Sequence, residues 1–90
     1  MSRLVHRSHL LGARLRSLRK RNGLTLEELS TRCVALDREL APSVSYLSMI
    51  ESGKRVPSAE LLSLLARVFQ RDPSWFLDEN ADLGALRPPE

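Results

Sequence analysis

The sequence predicts an all-α fold, five short helices in one compact domain, and three observations carry that prediction. Leucines recur three and four residues apart in successive stretches, the spacing that places them on one face of a helix. Ser, Thr or Asp precedes most of those stretches, and Gly or Pro follows, so starts and stops are both marked. The chain has 90 residues, 42% of them hydrophobic, which is enough for one modest core and too few for two stable domains.

Each element has its own local reason. Leu11, Leu15 and Leu18 define an amphipathic first helix over residues 8–22, with Arg14, Arg16, Lys20 and Arg21 largely on other faces, and Gly23 stops it with a left-handed cap. Thr25 followed three residues later by Glu28 is a capping box, in which hydroxyl and carboxylate each satisfy a free amide, so a second helix starts there. Its apolar stripe is Leu26, Leu29, Cys33, Leu36 and Leu40, and Pro42 sets its latest end. Ser43 caps a third helix through Ser52, with Leu47 and Ile50 inward and Gly53 as terminator. Pro57 and Ser58 open a strongly apolar fourth helix to about Gln70, which belongs at the centre of the core. Asp72 before Pro73 starts a short fifth helix holding Ser74, Trp75, Phe76 and Leu77.

The charge is unevenly placed. Residues 1–24 carry Arg3, Arg7, Arg14, Arg16, Arg19, Lys20 and Arg21 with no acid, whereas Asp72, Asp78, Glu79, Asp82 and Glu90 make the C-terminal stretch acidic. The basic end suits either a phosphate-facing surface or a solvated helix face, and charge alone does not choose between them. The division that follows is a basic N-terminal arm at 1–9, a domain at 10–77 and an acidic, proline-containing tail or linker at 78–90.

Several function classes are disfavoured. Cys33 is the single cysteine, so the chain can close no disulfide on itself and build no cysteine-based zinc site alone. His6 and His9 are three apart without a further ligand nearby, so no metal or other cofactor is expected. Serines are plentiful, but no histidine and carboxylate accompany them at a catalytic spacing, and no glycine-rich phosphate loop is present, so neither an enzyme nor a small-molecule site is expected. Nothing approaches the roughly 20 apolar residues of a membrane span. A cytoplasmic protein is the expectation.

The third helix is unusual in what it turns outward. Val44, Ser45, Ser48, Met49 and Ser52 are small or uncharged, a poor choice for a face whose only task is solubility. Two capped helices joined by a turn, the second with a slim outer face, are what a reader of the DNA major groove needs, because that groove is about 12 Å wide and admits one helix.

Here the residues also resemble a family. The run from Gly23 to Leu29 and the block from Ser43 to Ser58, with its serine cap, Tyr46, Leu47, Ser48, Ile50, Glu51, Gly53, Lys54, Arg55 and Pro57, resemble the Cro/CI (XRE-type) helix-turn-helix regulators. The likeness takes in Leu18 and Arg19 and the ending from Asp72 to Leu77. It implies a compact five-helix, lambda-repressor-like domain that binds double-stranded DNA as a homodimer on a two-fold operator. By that likeness Ser43, Val44, Ser45, Ser48 and Met49 face bases, and Thr25, Tyr46, Lys54 and Arg55 face phosphates. Arg19 and Glu51 are implied to form a structural ion pair between the first and third helices.

Two departures stand out. Leu26 occupies a place where the family usually has glutamine, so one phosphate contact is expected to be missing. Leu29 and Ser43 are fourteen residues apart, about twice the family's usual spacing and an excess of about two helical turns. The periodic Cys33, Leu36 and Leu40 favour a second helix extended by those turns; the other reading is that part of the insertion loops out. The outer face also lacks the Arg, Asn or Gln that makes bidentate base contacts, so selection is expected to lean on apolar contact and DNA shape. The functional rival is a protein-binding module on the same fold, such as an antitoxin or a polymerase-binding adaptor.

Overall fold

The computed structural model describes the backbone of residues 3–77 and the side chains of residues 9–77. Four α-helices and one 3₁₀ helix follow in order: α1 Arg3–Arg21, α2 Leu26–Leu36, α3 Val44–Glu51, α4 Ala59–Val68 and η1 Pro73–Phe76. There are thus four α-helices among the described residues, not five. The element starting at Asp72 is only four residues long and closes with i to i+3 bonds, Trp75 N to Asp72 O at 2.9 Å and Leu77 N to Ser74 O at 3.0 Å, which is 3₁₀ geometry. The stretch read as a separate arm, residues 1–9, is helical from Arg3 onward. The tail at 78–90 lies outside the described residues.

The helix starts follow from local chemistry. Thr25 Oγ1 accepts from Glu28 N at 3.0 Å while Thr25 N donates to Glu28 Oε1 at 2.8 Å, the reciprocal capping box. Ser43 and Ser58 cap α3 and α4 through single bonds from Tyr46 N and Leu61 N. Three helices end in the same way, with paired backbone bonds around one residue of positive φ: Gly23 at 68°, Gly53 at 81° and Gln70 at 56°. Gln70 is the departure, since a side chain there has to tolerate a conformation that glycine adopts without penalty.

The end of α2 corrects the extended-helix expectation. The helix stops at Leu36; Asp37 is extended, with φ −156° and ψ 97°, and its Oδ1 takes the Leu40 amide at 3.1 Å. That side-chain acceptor competes with continuation of the helix. One isolated turn follows, closed by Ala41 N to Asp37 O at 3.0 Å, and Ser30 Oγ ties the segment back by donating to the Pro42 carbonyl at 2.8 Å. Leu40 and Ala41 pack against the core from this turn, whereas Leu36, read as part of the buried stripe, is 43% exposed.

The core gathers Leu11, Leu15 and Leu18 of α1, Leu29 and Cys33 of α2, Leu47 and Ile50 of α3, Leu61, Leu62, Leu64, Leu65 and Ala66 of α4, and Trp75 with Phe76. Here α1 packs on α3 and η1, while α2 packs on α3 and α4. Burial pushes the Cys33 thiol up to about 11, so at neutral pH it is a neutral core group rather than a nucleophile.

Candidate nucleic-acid interface

Helix α3 is positioned from the inside by Leu47 and Ile50, both fully buried. Their burial turns Val44, Ser45 and Ser48 out to solvent and leaves Met49 half-buried, so these side chains share one outer face at i, i+3 and i+4 spacing. Ser43 is exposed, and its hydroxyl oxygen is engaged by the Tyr46 amide at 3.1 Å. Tyr46 is half-buried against the core.

The C-terminal end of α3 is fixed on α1 by two contacts. The first is a backbone approach that only glycine permits. A Cβ on Gly12 would collide with the Ile50 carbonyl oxygen and come within 2.6 Å of that of Glu51. The second is a forked ion pair. Arg19 Nε lies 2.6 Å from Glu51 Oε2, Nη2 lies 3.0 Å from Oε1, and Nη1 donates to the Leu24 carbonyl at 2.8 Å. Both side chains are nearly buried, at 11% and 7% exposure. The Glu51 carboxylate pushes the Arg19 pKa up, against an opposing effect of burial, which keeps the guanidinium charged.

Beyond Glu51 the chain turns on Gly53. Gly53 N donates to Ile50 O at 3.1 Å and Lys54 N to Met49 O at 2.9 Å, the paired bonds of a Schellman ending. That turn holds the exposed Lys54 and Arg55 directly beside the α3 terminus. His9 of α1 covers the same turn, its ring about 3.3 Å from where a Gly53 Cβ would stand.

The basic residues of α1 separate into different roles. Arg16 is exposed and lies four residues beyond Gly12, on the side of α1 that meets α3. Arg14 is buried and bonded through Nη1 to the Trp75 carbonyl, so it forms no part of an exposed basic face. The two were indistinguishable in sequence because the residue that buries Arg14 is 61 positions away. Gly12 was missed for a similar reason, since nothing local marks a glycine as a helix-crossing point.

Thr25 sits at the start of α2, exposed; its hydroxyl oxygen accepts from the Glu28 amide, and its hydroxyl hydrogen can still be donated. A second surface feature lies between α2 and α4, a groove of about 300 Å³ lined by Arg32, Ala35, Leu36, Arg67, Val68 and Gln70. No helix among the described residues is long and apolar enough to cross a membrane.

A family model described as a helix-turn-helix domain matches residues 10–74, most of the chain and the whole of the unit from α2 to α3. No curated protein and no solved structure matches the sequence.

Proposed function

This chain belongs to the helix-turn-helix domain family, and from that premise we propose that it is a sequence-selective DNA-binding regulator of the Cro/CI (XRE) type. The observation that carries the reading is the surface of α3. A slim outer face of Ser43, Val44, Ser45, Ser48 and Met49 runs into a rigid turn bearing Lys54 and Arg55. In this reading α3 lies in the major groove, Lys54 and Arg55 meet phosphates beside it, and the Thr25 and Tyr46 hydroxyls add neutral phosphate contacts. Val44 and Met49 pack on thymine methyl groups, while the serines read bases only ambiguously.

One such helix makes a small contact, so two copies on a two-fold operator supply the affinity. In this reading the protein is cytoplasmic and acts by binding rather than catalysis, with no metal or other cofactor. Selection of bound duplexes from a random pool tests the reading. Enrichment of inverted half-sites, centred about 34 Å or a multiple apart, is expected. Recovery of no preferred sequence would remove the operator, and a guanine-dominated site read directly from α3 would remove the apolar readout.

The protein-binding alternative has one observation in its favour. Val34 and Leu36 are 44% and 43% exposed at the end of α2, and Leu36 lines the groove between α2 and α4. Loss of DNA affinity on substituting Lys54 and Arg55, with none on substituting Leu36, separates the two readings.

A further inference from the structure

The groove between α2 and α4 combines apolar surface with unpaired positive charge. Arg32, Ala35 and Leu36 line it from α2 at i, i+3 and i+4 spacing, and Arg67, Val68 and Gln70 line it from the end of α4. Leu36 and Ala35 are exposed and Val68 is half-buried, so aliphatic surface is open to solvent there. Both arginines are exposed, and neither pairs with an acid among the described residues. The acids closest to them in sequence are committed elsewhere: Glu28 to the Thr25 amide, Asp37 to the Leu40 amide and Asp72 to the Ser74 amide. The ends of α2 and α4 bring about half a negative charge each, less than the full positive charge on each arginine, so the rim is net basic.

Gln70 adds an independent observation. Its φ of 56° is a left-handed conformation that glycine adopts without penalty, and glycine would close the same turn at the end of α4. What the residue contributes in return is its exposed carboxamide, which lines the groove and makes no hydrogen bond among the described residues. Local strain of this kind is characteristic of binding surfaces. The volume of about 300 Å³ lies at the lower limit for pockets that enclose a small molecule, which suits one or two anchoring side chains of a peptide.

We propose that this groove docks an acidic, aliphatic segment of a partner protein. The segment seats an aliphatic side chain against Leu36 and Val68, places carboxylates on Arg32 and Arg67, and exchanges hydrogen bonds with the Gln70 carboxamide. No lining residue belongs to α3 or to the turn bearing Lys54 and Arg55, so docking leaves the outer face of α3 free. The inference therefore adds a second surface to the DNA-binding reading and does not depend on it.

Panning a random peptide library on the full chain, without DNA, tests it. Expected are enriched peptides with aliphatic residues beside Asp or Glu. Titrated into the full chain, an enriched peptide should shift the NMR signals of Arg32, Leu36, Val68 and Gln70 and leave those of Ser45 and Ser48 unmoved. R32E/R67E should lower its affinity about tenfold. Q70G should weaken binding although it stabilises the fold, an outcome that a purely structural role for Gln70 does not give. Three results would overturn the proposal: no enrichment, enriched peptides without acids, or shifts centred on Lys54 and Arg55. Shifts of the groove signals on concentrating the chain alone would overturn it in favour of a second copy as occupant. Contacts of the Leu36 and Val68 methyl groups with residues 78–90 in the free chain would overturn it in favour of the chain's own acidic end.

Discussion

The two ends of α3 are held by different kinds of structure. At its C-terminal end the backbone of α1 lies directly against the carbonyls of Ile50 and Glu51, and the Arg19–Glu51 fork locks that crossing. At its N-terminal end α3 hangs from the segment 37–43, which is fastened by single bonds: Leu40 N to Asp37, Ser30 to Pro42 O and Tyr46 N to Ser43. The first attachment has no substitute residues, since one part is the absence of a side chain and the other a nearly buried charge pair. The second is a sum of replaceable contacts, each of them a single hydrogen bond.

The largest expected effect is at the ion pair. Arg19→Ala or Glu51→Ala strands a nearly buried charge and should cost about 3 kcal/mol in urea denaturation. Replacing both by apolar residues of similar size should cost less than either single change, and an equal or greater loss would show that the pair contributes more than mutual neutralisation. Gly12→Ala comes next, at about 2 kcal/mol, because backbone has to move to admit the methyl group. A neutral Gly12→Ala would mean that α1 and α3 can slide apart freely, and the contrast between the two ends would collapse.

The N-terminal fastenings should each be worth about 1 kcal/mol, read as Ser30→Ala and Ser43→Ala in the same assay. Either one matching the loss at Glu51 would break the comparison from the other side. The smallest effect is a gain. Gln70→Gly relieves a left-handed conformation worth about 1–2 kcal/mol but returns about 0.5–1 kcal/mol of chain entropy, so stability should rise by about 0.5 kcal/mol. The midpoint of thermal unfolding should follow it upward.

What was legible in the sequence was whatever is decided within a few residues. The caps at Thr25, Ser43, Ser58 and Asp72, and the glycine stops at Gly23 and Gly53, are local hydrogen-bonding choices, and the leucine spacing of α1 reports one buried face. The break at Asp37 was hidden because Leu36 and Leu40 continue the helical period on either side of it, although one lies exposed and the other packs from a separate turn. Gln70 gave no signal, since the left-handed ending of α4 lacks the glycine that usually marks one. At the site, the outer face of α3 was readable from the inward Leu47 and Ile50. The division of labour between Arg14 and Arg16 was not, because only the arrival of η1 against α1 assigns Arg14 to the interior.

The most direct measurement of the central claim is the affinity for a mixed-sequence duplex at two salt concentrations, made on the parent chain and on K54A/R55A. Binding that weakens steeply with salt in the parent, with a log–log slope reduced by up to about two in the variant, is the expected result. Absent or salt-insensitive binding, or a variant indistinguishable from the parent, would contradict a DNA interface formed by α3 and the turn that follows it.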